Sequence, residues 1–354
     1  MKKHNFSAGP CILPQEVLKK ASEAILNFNN GGLSLIEISH RSAPFVEVME
    51  NARSLVLELL GLENKGYSAL FLQGGASLEF LMVPYNLMKE GGKAAYLDTG
   101  AWSSAAIKEA KLLGNVEVVA TSKDKNYNYI PKNFTIPSDV DYFHCTSNNT
   151  IYGTQIKEFP TTDGLLVCDM SSDIFSRQLD FSKFDLIYAG AQKNMGPAGT
   201  TLVVVKDSIL GKTGRTIPSM LNYQVHISKD SMYNTPAVYA VYVSMLTLQW
   251  LKDLGGIPAI EKINEAKAVL LYNEIDNNPL FTGTAAKEDR SNMNVTFLLN
   301  DESLKAKFDA MWKDAGISGI NGHRSVGGYR ASIYNALPLE SVQVLVDIMQ
   351  QLNK

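Results

Sequence analysis

Between residues 69 and 205, short apolar runs alternate with segments of helical length, and this alternation leaves few architectures open. Ala69-Leu70-Phe71-Leu72 is a strand-length run, Gln73-Gly74-Gly75 a turn, and residues 76–88 a helix. Ala94-Ala95-Tyr96-Leu97 reads as the next strand, followed by a helix over 103–113 and a strand over 116–120. Asp141-Tyr142-Phe143-His144, Leu165-Leu166-Val167-Cys168, Leu186-Ile187-Tyr188-Ala189 and Leu202-Val203-Val204-Val205 continue the series. Repeated strand–helix–strand units pack as an α/β layer structure, a mainly parallel sheet with helices on both faces. Ligands of such sheets bind beyond the carboxyl ends of the strands. The loops at those ends are therefore where chemistry is expected.

Outside this series, residues 14–28 place Val17, Leu18, Ala21 and Ile25 at helical spacing, and residues 45–60 form a second helical stretch ended by Gly61. After Trp250 a long amphipathic helix over 257–276 leads into a smaller α+β segment containing Val295-Thr296-Phe297-Leu298-Leu299. A boundary near Ile257 divides the chain into a large domain, 16–256, and a small domain, 257–354 with 1–15. A length of 354 residues suits about two domains.

Charge narrows the partners. Lys plus Arg total 33 against 36 for Asp plus Glu, a net charge of -3. A nucleic-acid binder would show a basic excess, so none is expected. An anionic ligand must be gripped by a few placed cations. Cys11, Cys145 and Cys168 are distant in sequence and odd in number, which suits a reducing compartment rather than a disulfide framework. Met1-Lys2-Lys3-His4-Asn5-Phe6 has no apolar stretch behind it and does not read as a signal peptide. The aliphatic runs are too short to span a membrane. The expected location is the cytoplasm, with no membrane partner.

Three strand-end loops carry candidate chemistry. Gln73-Gly74-Gly75-Ala76-Ser77 joins a strand to a helix, where free N–H groups and the helix dipole favour a phosphate. An ordinary turn before a helix has the same pattern. Asp169 follows a buried strand, where a carboxylate can hold a ring nitrogen protonated, or simply open the turn Met170-Ser171-Ser172. Lys193 stands among small residues in Ala189-Gly190-Ala191-Gln192-Lys193-Asn194-Met195-Gly196-Pro197-Ala198-Gly199. Desolvation there favours the neutral, nucleophilic amine. A solvent-facing loop lysine is the plainer alternative.

Other patterns fail. Gly211-Lys212-Thr213 ends like a P-loop, but Lys206 occupies the position of its first glycine. No GxSxG elbow is present. His4, His40, His144, His226 and His323 show no metal-ligand spacing, so no metal is expected. Two of these histidines precede arginines, in His40-Arg41 and His323-Arg324, and Arg330 follows Gly327-Gly328-Tyr329. Guanidinium groups grip carboxylate and phosphate bidentately, which makes this set a candidate anion pocket.

Taken together, these strings resemble the class V, fold-type I pyridoxal-phosphate enzymes of the phosphoserine aminotransferase family. The resemblance runs from Asn5-Phe6-Ser7-Ala8-Gly9-Pro10 and Glu37-Ile38-Ser39-His40-Arg41-Ser42 through Gln73–Ser77 and Thr146-Ser147-Asn148-Asn149-Thr150-Ile151-Tyr152-Gly153-Thr154. It continues in Tyr188–Asn194, Tyr233-Asn234-Thr235-Pro236 and residues 322–336. It implies a large domain with a seven-stranded, mainly parallel sheet covered by helices and a smaller α+β C-terminal domain. It implies that Lys193 carries pyridoxal 5'-phosphate as a Schiff base and moves the proton. Asp169 would pair with the ring nitrogen and Trp102 would stack on the ring. Ala76, Ser77, Thr150 and Gln192 would contact the cofactor. Asn234 and Thr235 would reach the cofactor phosphate of a neighbouring subunit, making a homodimer with shared active sites. His40, Arg41, His323, Arg324 and Arg330 would bind substrate. Some members have Gly-Arg at Ala76-Ser77, so a cationic phosphate contact there is missing; Val295-Thr296-Phe297 replaces a Val-Pro-Phe.

The function so implied is reversible amino transfer from L-glutamate to 3-phosphohydroxypyruvate in serine biosynthesis; 4-phosphohydroxy-L-threonine in vitamin B6 synthesis is a second candidate substrate that the sequence leaves open. A cysteine desulfurase needs a cysteine late in the chain, and all three precede Lys193. A serine–glyoxylate type transaminase would not need so many cations. A non-catalytic cofactor-binding protein would not need Lys193, Asp169 and Trp102 together.

Overall fold

The computed structural model describes residues 3–352. Its main sheet comprises β1 (Tyr67–Leu72), β2 (Lys93–Asp98), β3 (Asn115–Thr121), β4 (Tyr142–Thr146), β5 (Leu165–Asp169), β6 (Leu186–Gly190) and β7 (Thr201–Lys206). They lie in the order β1-β7-β6-β5-β4-β2-β3. Only β7 runs against its neighbours β1 and β6; the other pairs are parallel. The reason is local. Residues 191–200 between β6 and β7 form no helix, and a parallel return needs a crossover of a dozen residues or more.

Alternation along each strand sorts the side chains onto two faces. Tyr96, Tyr142, Val167, Tyr188 and Val203 pack under α3 (Gly75–Leu87) and α4 (Ala101–Ala110) through Phe80, Met82, Ala106 and Ile107. On the opposite face Leu97, Phe143, Cys168, Ile187 and Val204 meet residues of α2 (Ala43–Leu59) and of the helix Val238–Asp253, among them Phe45, Met49, Val241 and Leu248. A further helix, α1 (Gln15–Leu26), sets Val17 and Ala21 against Val243 of Val238–Asp253. The sequence pattern does not announce Val238–Asp253. Apolar residues lie nearly all round it, which removes the one-sided stripe that marks a surface helix.

The helix Gly256–Asn277 begins in this core with Ile257 and Ile260 and ends in a second core with Leu271 and Ile275. That second core collects Phe297, Phe308, Trp312, Val342 and Leu345 around a three-stranded antiparallel sheet of Phe281–Gly283, Asn294–Leu299 and Tyr329–Ser332. His4–Asn5 pairs with Ile317–Ser318, and Phe6 is buried in the same core. No helix among the described residues is long and apolar enough to cross a membrane.

Candidate active site

At the carboxyl ends of β1, β2, β4, β5 and β6 lies a cavity of about 500 Å³. Its wall includes Ala76, Ser77, Trp102, Thr150, Asp169, Gln192, Lys193, His323 and Arg330. Residues remote in sequence meet here because every parallel strand ends on the same edge.

The first wall is the start of α3. Gly74 has φ 103° and Gly75 φ 69°, left-handed values open to glycine at little cost. A Cβ on Gly74 would lie 2.5 Å from Leu78 Cδ2. No side chain caps this helix start, so its first-turn N–H groups are left for an anion. Facing it, Ser103 Oγ accepts the N–H groups of Thr99 and Gly100 at 2.9 Å each. That ties down the turn before α4 and presents Trp102, 41% exposed, at the cavity rim.

Asp169 closes β5 and is buried. Its Oδ1 accepts the N–H of Ser171 at 2.9 Å. Burial raises its pKa, while the Ser171 contact and the charge of Lys193 oppose that rise. The amine of Lys193 donates to Thr150 Oγ1 at 3.0 Å. Desolvation lowers its pKa, Asp169 opposes the change and Arg330 adds to it. A half-buried amine, a buried carboxylate and a guanidinium thus share one space. Each shift follows from burial and neighbouring charge.

The N-terminal segment roofs Lys193. Cys11 N–H donates to the Gln192 carbonyl at 3.2 Å, and Cys11 Sγ to the Lys193 carbonyl at 2.6 Å. Gly9, with φ +136°, approaches so closely that a Cβ there would sit 3.4 Å from Lys193 Cγ. Arg330 reaches in from Tyr329–Ser332 on the small sheet, its Nε buried without a partner. His323 lines the wall nearby, its Nδ1 2.8 Å from Ser325 Oγ.

Five expected residues lie outside the cavity wall of this chain. Arg324 and Arg41 are exposed, and His40 sits before α2 with Nε2 buried and unpartnered. Asn234 and Thr235 lie beside the turn that opens α3, where the Thr235 carbonyl accepts Gln73 Nε2 at 2.6 Å. Conversely, Ala8, Gly9, Phe80, Thr146, Asn148 and Ser171 line the wall. The strings around Gly9 and Asn148 are distinctive enough to flag those two; Phe80 reads in sequence like any core residue. His144 belongs to the sheet, bonded through Nε2 to Tyr188 Oη at 2.8 Å. Burial pushes its pKa down to about 3, so it stays neutral.

The family model for class-V aminotransferases matches residues 3–345. The chain belongs to the class-V aminotransferases. The phosphoserine aminotransferase of Flavobacterium psychrophilum is 74% identical over 352 residues, 99% of each chain. That of Parabacteroides distasonis is 57% identical over 356 residues, 100% of this chain and 99% of its own. The solved phosphoserine aminotransferase from Bacillus circulans subsp. alkalophilus superposes with a TM-score of 0.96 at 43% identity, covering 99% of this chain and 98% of the other. Within its class the chain is thus a member of the phosphoserine aminotransferase family, whose enzymes depend on pyridoxal phosphate.

The cavity fits that cofactor. The uncapped start of α3 suits its phosphate, the buried Asp169 its ring nitrogen, and the partly desolvated Lys193 its aldehyde carbon.

Proposed function

We propose that the protein transfers the amino group of L-glutamate to 3-phosphohydroxypyruvate, reversibly, giving 2-oxoglutarate and O-phospho-L-serine for serine biosynthesis, with 4-phosphohydroxy-L-threonine as a further substrate. The single observation that carries this reading is the meeting of Lys193, Asp169 and Arg330 on one cavity. When bound, pyridoxal phosphate accepts the amino group and spreads the negative charge left on Cα.

The chain's own groups do the rest. Ala76 and Ser77 hold the cofactor phosphate through N–H groups and the Ser77 hydroxyl, and Trp102 covers the ring. Thr150 and Gln192 complete its surroundings. Asp169, favoured as the anion against its burial by the Ser171 contact and the charge of Lys193, would keep a proton on the ring nitrogen. Lys193, its pKa lowered by desolvation, would serve as the base that takes the proton from the substrate Cα and holds it for its return. Arg330 grips the α-carboxylate that every substrate shares.

The phosphate needs a second grip. His323 and Arg324 supply it, joined by His40 and Arg41 of a second copy in a homodimer. Asn234 and Thr235 then serve the neighbour's cofactor phosphate. Two features support the dimer. These residues lie off their own cavity wall, and Leu33, Ile36, Met220 and Tyr233 leave apolar surface exposed nearby in sequence. The same reading divides the chain into a cofactor-binding domain, 16–256, and a small domain, 257–354 with 1–15; residues 1–2 and 353–354 lie outside those described. Three free thiols suit a reducing cytoplasm.

Paired substitutions test the two grips. A charge-assisted bidentate contact contributes about 1.5–3 kcal/mol, roughly ten- to a hundredfold in binding. Arg324→Leu is expected to lower kcat/KM for the phosphorylated keto acid by that factor and for an unphosphorylated analogue much less. Arg330→Leu is expected to lower both alike. Equal losses in Arg324→Leu would reopen the substrate class.

A further inference from the structure

The turn that follows Asp169 is held in an unusual way. Three successive carbonyls, of Ile174, Phe175 and Ser176, each accept a side-chain amide from a different asparagine. Asn194 Nδ2 donates to Ile174 O at 3.1 Å, Asn335 Nδ2 to Phe175 O at 3.0 Å, and Asn264 Nδ2 to Ser176 O at 3.0 Å. The asparagines also bind one another. Asn264 Nδ2 lies 2.8 Å from Asn335 Oδ1, and the Asn335 N–H donates to Asn194 Oδ1 at 3.0 Å. All three are buried. Phe175 has φ 58°, a left-handed value that a bulky residue keeps only where its surroundings impose it.

The origins of the three asparagines give the arrangement its meaning. Asn194 adjoins Lys193. Asn264 lies on the helix Gly256–Asn277 that passes between the two cores. Asn335 lies five residues beyond Arg330, at the end of the buried run 331–335. That run has a further fastening: Lys267, one turn beyond Asn264, donates to the carbonyls of Ile333 and Tyr334 at 2.9 and 2.7 Å. Lys267 is fully buried, and among the described residues it has no carboxylate partner. Burial lowers its pKa to about 7. Each of the three amide nitrogens has a partner, and Asn264 Oδ1 is the one amide oxygen of the cluster buried without one. A polar cluster so placed away from solvent on a domain boundary favours the arrangement of parts that keeps its bonds.

We propose that Asn194, Asn264 and Asn335 are positioning residues for amino transfer, a clamp on residues 174–176 that sets the spacing between Lys193 and Arg330. The inference rests on the proposed roles of those two residues. A substrate carries its amino group and its α-carboxylate on the same carbon, so Lys193 and Arg330 must be held at one separation. Lys193 follows a strand of the large sheet and Arg330 lies on a strand of the small one, and the clamp is a direct polar link between their two segments. Loss of one charge-assisted contact costs about ten- to a hundredfold in binding, so a displaced Arg330 shows first in substrate affinity.

The test uses the holoenzyme with Asn335→Ala and, as the milder variant, Asn264→Ala. Three quantities are read: the absorbance of the bound cofactor, the Kd of glutarate by calorimetry, and kcat and KM for glutamate. Glutarate is an unreactive dicarboxylate that needs Arg330 but no chemistry. Asn335→Ala is expected to keep the cofactor spectrum, because Lys193 and Asp169 stay in place. It should weaken glutarate at least about tenfold and raise KM by more than it lowers kcat. Asn264→Ala should move in the same direction by a smaller factor, and it decides the matter if Asn335→Ala does not fold. Folded variants with glutarate affinity and KM within about twofold of wild type would reduce the clamp to a structural feature. A wild type that binds glutarate yet transaminates nothing would overturn the functional reading instead, and the glutarate series would still decide the clamp.

Discussion

Lys193→Ala is expected to fold and to bind pyridoxal phosphate, yet to lose transamination by on the order of 10⁴-fold. The fold should survive because the deleted atoms face the cavity, not the core. The backbone contacts of the residue also remain, including the bond from Cys11 Sγ to its carbonyl. Chemistry should not survive. In the proposed mechanism the amine both attaches the cofactor and moves the proton, and no neighbour offers a replacement amine. Thr150, 3.0 Å from the amine, offers only a hydroxyl of far higher pKa. Borohydride treatment and mass spectrometry check the first role: cofactor mass on residue 193 in wild type, none in the variant. Turnover within about tenfold of wild type would remove Lys193 from the mechanism.

Asp169→Asn is the second large effect, with kcat lowered by about 10²–10³-fold. The amide preserves shape and can still accept the Ser171 N–H through its oxygen. It cannot carry the negative charge that keeps a ring nitrogen protonated. The loss should therefore appear in kcat and in the cofactor spectrum while the thermal midpoint stays close to wild type. A further sign is available at Lys193. Asp169 opposes the desolvation that lowers the lysine's pKa, so its removal should lower that pKa further and move the acid limb of the pH–rate profile downward. Unchanged kinetics would make Asp169 a turn residue.

Much of the site is legible in sequence because its chemistry sits where apolar strand runs stop. Gly74-Gly75, Asp169 and Lys193 each follow such a run, and the α/β alternation says that those ends share an edge. What the patterns do not reveal depends on register or on long-range contact. Thr146 reaches the cavity because β4 extends two residues beyond its apolar stretch and pairs Thr146 with Asp169. Gly9 arrives from far along the chain, and no local periodicity encodes its contact with Lys193. The direction of β7 follows from a missing crossover helix, which an apolar run alone does not express. Asn194, Asn264 and Asn335 look like surface asparagines until the fold buries them together. His40, Arg41, Asn234 and Thr235 stand off their own cavity wall, and their expected roles belong to an assembly of two chains.

The central claim is that this cavity moves an amino group from glutamate to a phosphorylated three-carbon keto acid. Its most direct measurement is the pair of half-reactions in the wild-type holoenzyme, followed by cofactor absorbance. Glutamate should shift the spectrum and release one 2-oxoglutarate per site. 3-Phosphohydroxypyruvate should restore the spectrum with a kcat/KM at least about tenfold above that of hydroxypyruvate, the margin of one charge-assisted contact. A spectrum unmoved by glutamate, or equal kcat/KM for the two keto acids, would contradict the account.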